Sequence, residues 1–363
     1  MRNIYKNILF VSLTALLMAC SGSKQPSEPT SSPISEFISQ PVSEPASVTP
    51  SSAILQSSAP SQNSDDSRQM INDQLYTDSG LKVYFKAQGA RIDKITWGAN
   101  NKQIAKDGFT VGRCANRLAG GKFTINGTQY QAKLNDGNNS LHGGGSSWQG
   151  PFATANWTKV EQTSSTITYS LTSRDGDNGY PGNMEMTVKY TLSQEGELSI
   201  EYTATTDKDT LCNPTNHLFM AVNGDANRNY PNIKLWINAD YYTPLSNQIP
   251  TGKIDPVAGT QFDYSTEKAF DGSKSYDDNY VLKGEGYRKA ATMTGTSLGL
   301  KIDVYTDRAG LQLYKDGSGN ICLETQQFPD MINHPEFAEY GTTVLKAGET
   351  FYSKTAYVFS ESK

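Results

Sequence analysis

Histidine, cysteine and excess positive charge are all scarce in this 363-residue chain. Its three histidines are His142, His217 and His334, and none of the spacings H-x-H, H-x-x-x-H or H-E-x-x-H occurs. Local sequence therefore gives no support to a metal centre, and neither a metal nor an organic cofactor is expected. The four cysteines are Cys20, Cys114, Cys212 and Cys322, with no C-x-x-C among them. The last three form an odd set, which argues against a disulfide framework and for buried thiols with at most one bridge. The net charge of −5 speaks against a nucleic-acid partner. Long apolar runs are missing apart from Ile8 to Ala19, which is too short to span a bilayer as a permanent helix. There is no long amphipathic helix and no βαβ rhythm, which excludes a doubly wound α/β fold.

What the N-terminus does contain is a secretory pattern. Arg2 and Lys6 precede the apolar run, which ends in Leu17-Met18-Ala19-Cys20. A small residue followed by cysteine here resembles the lipobox of bacterial lipoproteins, in which Cys20 is lipidated after cleavage. Residues 1–20 are thus expected to be a lipoprotein signal peptide. Residues 21–70 are rich in Ser and Pro, and Gln25-Pro26-Ser27-Glu28-Pro29 is echoed by Gln40-Pro41-Val42-Ser43-Glu44-Pro45. Such composition cannot bury enough apolar surface to offset chain entropy, so a disordered tether is expected. Residues 71–363 form the folded domain. The expected location is outside the cytoplasm, lipid-anchored to the bacterial cell envelope at the outer membrane or in the periplasm. Ser21, rather than Asp, after the cysteine gives no argument for inner-membrane retention.

The domain reads as strands. Met184, Met186, Val188 and Tyr190 alternate with polar neighbours, as do Leu198, Ile200 and Tyr202. Ile167, Tyr169 and Leu171 repeat the pattern, and so do Leu300, Ile302 and Val304. Period-two alternation marks half-buried strands. Turn clusters separate the runs, among them Asn135-Asp136-Gly137-Asn138-Asn139 and Asp175-Gly176-Asp177-Asn178-Gly179. The expected class is mostly β, a large antiparallel β-sandwich.

Two motifs point to chemistry that their context denies. His142-Gly143-Gly144-Gly145 looks like an esterase oxyanion loop, and Gly295-Thr296-Ser297-Leu298-Gly299 matches G-x-S-x-G. A nucleophile elbow needs a strand, a sharp turn and then a helix. Ser297 is instead followed by the alternating run Leu300 to Tyr305, so the segment predicts a hairpin turn. The three glycines are not followed by the residues of a phosphate-binding loop. Four polar segments remain unexplained by fold economy: Gly112-Arg113-Cys114-Ala115-Asn116-Arg117-Leu118, Asn139-Ser140-Leu141-His142-Gly143-Gly144, Asn213-Pro214-Thr215-Asn216-His217-Leu218-Phe219, and Leu323-Glu324-Thr325-Gln326-Gln327-Phe328-Pro329-Asp330. His142 alone reads as a satisfied interior group. Glu324 is more telling. It lies in the apolar run Ile321-Cys322-Leu323-Glu324, where an ionised carboxylate needs partners. It is either half of an internal ion pair or a tuned catalytic group.

Taken together and in this order, the four segments resemble the aldose 1-epimerases, also called galactose mutarotases. The family pattern runs G-R-x-A-N-R-[IL], L-H-G-G, N-x-T-N-H and L-E-T-Q-x-x-P-D. The resemblance spans about Gln74 to Phe359 and implies the galactose mutarotase-like supersandwich. It also implies interconversion of the α and β anomers of free hexoses. By the same resemblance His217 is the general acid and Glu324 the general base. His142 and Arg117 bind and polarise hydroxyls beside Asn116, and Asp277 and Gln312 are further sugar contacts. A monosaccharide substrate follows; membrane attachment through a lipidated N-terminus is expected from the cysteine-ending leader, and a monomer or weak dimer is expected. Two departures stand out. Gly145 to Pro151 replaces a G-F-D-K-x-x-W-like stretch, and Asp278 stands where His is frequent. A non-catalytic sugar-binding lipoprotein on the same scaffold is the alternative. A hexose-phosphate epimerase is disfavoured by export and by the lack of an additional Arg/Lys cluster.

Overall fold

The computed structural model describes residues 73–224 and 230–362. The signal peptide, the lipidation of Cys20 and the tether expected from the sequence all fall on residues outside the described ones. Within them the alternating runs are strands as expected: Thr166–Ser173, Met184–Leu192, Glu197–Thr206 and Leu300–Thr306. All four belong to a nine-stranded antiparallel sheet, which faces a ten-stranded sheet. Apolar side chains from both sheets, among them Tyr190, Ile200, Ile302, Leu311 and Leu323, make one continuous core. The hairpin expected around Ser297 is present, with Gly295 opposite Leu300. No nucleophile elbow forms there, and the Ser297 hydroxyl meets the Asn232 side-chain amide. Cys114, Cys212 and Cys322 are all buried free thiols.

Five strands of the ten-stranded sheet carry the functional residues. They are β1 (Lys102–Val111), β2 (Thr215–Met220), β3 (Asp277–Leu282), β4 (Gly310–Lys315) and β5 (Ile321–Gln326). They lie in the order β1-β2-β5-β4-β3. Unlike the half-buried strands of the other sheet, β2 and β5 are buried on both faces. Alternation sorts their side chains. Leu218, Met220, Leu311, Leu313, Ile321 and Leu323 join the main core. Phe109, Val111, Phe219 and Cys322 pack in a separate cluster on the opposite face. The registers His217 opposite Phe109, Glu324 opposite Gln312, and Asp277 opposite Tyr314 draw one stripe across that face.

Candidate active site

Two loops roof this stripe. Arg117–Leu118 pairs with Ser140–Leu141 as a short ladder, bringing the first two polar segments side by side. The His142 amide donates to the Asn116 carbonyl at 3.0 Å, and the Asn116 amide donates to His142 Nδ1 at 3.1 Å. Both residues adopt positive φ, 61° for Asn116 and 53° for His142. Asparagine tolerates that region, whereas histidine does so less often. Gly143 (φ 88°) passes so close to Gly112 that an added Cβ would lie 2.2 Å from its carbonyl oxygen. The glycines of the 143–145 run thus serve backbone geometry. Asn135 fastens the loop: its amide donates to the carbonyls of Leu141, Gly144 and Ser147, and its side-chain oxygen accepts from the Leu141 amide. Sequence reading placed Asn135 in a turn cluster and missed this role. Several backbone contacts made by one Asn side chain leave no pattern beyond the turn itself.

The cleft beneath the two loops has a volume of about 190 Å³ and is lined by Asn116, Arg117, Leu141, His142, Trp148, His217, Asp277, Tyr314 and Glu324. That is below the roughly 300–1,000 Å³ of pockets for drug-sized ligands and suits a single small ring. Six of the seven residues expected at the site line it. The seventh, Gln312, sits behind Asp277, donating from Nε2 to Asp277 Oδ1 at 2.8 Å. Trp148, half exposed, stands with its ring edge-on to His217, at a centroid distance of 5.8 Å. It comes from the departing segment 145–151, so the altered loop still delivers an aromatic wall. Asp278 does not line the cavity; its carboxylate accepts from the Asp277 amide. Of the two arginines in the first segment only Arg117 reaches the cavity. Arg113 is fully buried and donates to carbonyls of Ser173, Arg174, Pro181 and Gly182, tying down a distant loop. His334 lies away from the cavity, against Asp330 and Glu336.

Charge is arranged in two parts. Arg117 is clamped by Asp136 at 2.8 Å and Asp277 at 3.0 Å. Burial works against its charge, but the two carboxylates prevail and raise its pKa. Asp330 holds the same segment, accepting from the Ala119 amide at 3.0 Å. The second part is His217 and Glu324, with Nε2 and Oε1 3.6 Å apart and both side chains almost wholly buried. Burial lowers His217 to about 4 and pushes Glu324 well above the ordinary carboxylate range, with nearby Asp277 adding to the rise. Both shifts favour the neutral forms. His142 is likewise held neutral, by burial first and then by His217 and Arg117.

His142, His217 and Glu324 also offer ligand atoms within 4.8 Å of one another, a set that metal ions use. Sequence spacing had not brought these three together as such a set. Ligating histidines nearly always donate their second ring N–H. Here His142 Nδ1 accepts instead, so the neutral ring carries its proton on Nε2. That makes it a hydrogen-bond donor toward an oxygen of a ligand and a poor metal ligand.

Residues 80–358 match the family model described as Aldose 1-epimerase. The chain is 34% identical over 279 residues to an aldose 1-epimerase of Haemophilus influenzae, covering 69% of this chain and 80% of that protein. It is 35% identical over 279 residues to a galactose mutarotase of Bos taurus, covering 70% and 78%. Among solved structures, a galactose 1-epimerase from Lactobacillus acidophilus superimposes with a TM-score of 0.68 at 26% identity, covering 80% of this chain and 94% of that one. An aldose epimerase homologue from C. elegans gives a TM-score of 0.72 at 22% identity, with coverages of 80% and 98%, and supports the fold.

Proposed function

Because the chain belongs to the aldose 1-epimerase family, we propose that it interconverts the α and β anomers of free hexoses of the glucose and galactose type, with Glu324 as general base and His217 as general acid. In the reactive form the proton the pair shares has moved from Glu324 to His217 Nε2, and the Glu324 carboxylate then takes the proton of the anomeric hydroxyl as His217 Nε2 protonates the ring oxygen. The bond between C1 and the ring oxygen breaks, and the C1 carbonyl forms. Rotation about C1–C2 presents the other carbonyl face. Reclosure then returns each proton to the group that gave it. Positioned acid–base groups of this kind supply about 10²–10⁴-fold in rate. The observation that carries the proposal is the buried His217–Glu324 contact at 3.6 Å in the wall of a cavity sized for one ring. Two groups whose environments push their pKa values apart hold one shared proton between them. Arg117, held by Asp136 and Asp277, and His142 as a donor would orient hydroxyls of the bound sugar, with Asn116 beside them.

The second part of the proposal concerns location. Lipidation at Cys20 and export to the cell envelope rest on Leu17-Met18-Ala19-Cys20 and the Ser/Pro-rich stretch that follows. An exported epimerase would equilibrate sugar anomers before uptake.

Polarimetry on freshly dissolved α-D-glucose and α-D-galactose tests the activity. Relaxation should be far faster than in buffer, and His217→Ala and Glu324→Gln should each remove at least about 10²-fold of the rate with the fold intact by circular dichroism. Full activity in either variant would refute its assigned role. Relaxation at the buffer rate with the wild-type chain would refute the enzyme.

A further inference from the structure

Both nitrogens of the His217 ring meet side chains from one face of one strand. Cys322 and Glu324 are two residues apart on β5 and so project to the same side. Cys322 Sγ lies 3.5 Å from Nδ1, and Glu324 Oε1 lies 3.6 Å from Nε2. The rest of the ring is enclosed by aromatics. Phe109 stacks on it at 5.0 Å and Phe219 packs at 4.7 Å, while Tyr314 and Trp148 approach edge-on. The titratable groups facing the ring are therefore Glu324 and Cys322 from β5, Tyr314 from β4 and His142 from the loop, with Asp316 further off.

We propose that Cys322 is a positioning residue for anomer exchange: its sulfur accepts the Nδ1–H of His217, so that Nε2 is the atom that gives and takes the proton. The inference rests on the reading of His217 as the general acid. During ring opening the imidazolium, formed as the shared proton passes from Glu324 to Nε2, gives that proton to the ring oxygen and keeps its Nδ1 proton, hydrogen-bonded to the sulfur. On reclosure Nε2 recovers that proton and the thiol is unchanged. The choice of a thiol has a chemical reason. A carboxylate in its place would orient the ring equally well, but would stabilise the imidazolium and weaken it as an acid. A neutral, weakly accepting sulfur fixes the ring while leaving the acid strong. Burial keeps Cys322 in the thiol form, its pKa well above the ordinary value.

Three substitutions in the full chain test this. Cys322→Ala should lower kcat on the order of tenfold, in the range typical of a lost orienting partner, with KM little changed. Cys322→Ser, which restores a neutral acceptor, should recover most of that loss. Cys322→Asp should move the acid limb of the pH profile of kcat/KM to higher pH and lower kcat. Unchanged kcat in Cys322→Ala, or an unmoved acid limb in a folded Cys322→Asp, overturns the proposal. ¹⁵N NMR of the wild-type ring guards against variants that fail to fold. At neutral pH Nδ1 should give a protonated, pyrrole-type shift, and a pyridine-type shift at Nδ1 overturns the assignment. Activity surviving in His217→Ala would instead remove the premise that His217 is the acid, and so separates the two failures.

Discussion

Glu324 keeps one oxygen, Oε2, without a hydrogen-bond partner inside the protein. A buried unpaired acceptor costs about 1–3 kcal/mol, and that cost is greatest for the ionised carboxylate. The same burial couples stability to pH. The folded-state pKa lies well above the unfolded value near 4.5, so the folded state binds the extra proton. Its stability then falls as pH rises from about 4.5 through the raised pKa. Glu324→Gln has no proton to lose. Calorimetry from pH 5 to pH 8 should show the melting temperature of Glu324→Gln gaining on wild type by roughly 2 °C or more, since each pKa unit is worth about 1.4 kcal/mol. A gap that narrows as pH rises would contradict the assignment. Activity should depend on pH in a complementary way. The pair works with one proton, and His217 takes a second only toward about 4. The kcat/KM value should therefore be level at neutral pH, fall to half its plateau near pH 4 and decline with unit slope below it. A decline centred near 6.5, the ordinary histidine value, would show that burial does not govern the acid.

At the scale of elements, strands supply the floor of the site and loops supply its roof, with different tolerances. The strand residues Phe109, His217, Cys322, Glu324 and Asp277 are fixed by register. The roof depends on a chain path that only glycine fits. At Gly143 an added Cβ would meet the Gly112 carbonyl oxygen at 2.2 Å, whereas at Gly137, also at positive φ, nothing lies within 4 Å. Gly143→Ala should therefore lower stability by about 2 kcal/mol or more and raise KM by displacing His142. Gly137→Ala should lose only about 1 kcal/mol and keep its KM. Equal losses in thermal melts and kinetics would show that the close approach at Gly143 carries no special weight. The strands were legible because period-two alternation is written in neighbouring residues, as in Met184 to Tyr190. β2 and β5 do not alternate clearly, being buried on both faces, and their polar members His217 and Glu324 stood out instead.

For the molecule as a whole, every residue lining the cavity lies between Asn116 and Glu324. The proposed lipid anchor at Cys20 therefore acts on location and leaves the chemistry to the folded domain. Cys20→Ala expressed in a bacterial host should move the protein from the membrane fraction to the soluble fraction and abolish labelling by radioactive palmitate, with kcat/KM unchanged. Palmitate labelling that persists in Cys20→Ala would place any lipid elsewhere. The two-sheet architecture also explains how residues more than a hundred positions apart share one cavity. Antiparallel pairing sets β5 beside both β2 and β4, so His217 and Glu324 become near neighbours through space.

By itself the sequence determined the β class, the strand runs, the absence of local metal and phosphate motifs, and the four polar segments that mark the site. Each of these is carried by residue type and spacing over a few positions. Only the tertiary structure decided what the segments do to one another. It set Arg117 between Asp136 and Asp277 and put Gln312 behind Asp277 instead of in the cavity. It turned Arg113 away to bind a distant loop, and it fitted Trp148 into the wall from a segment that departs from the family pattern. Above all it placed Cys322 and Glu324 at the two nitrogens of His217. Contacts of this kind depend on strand register and loop path across long separations in the chain, and no local pattern encodes them.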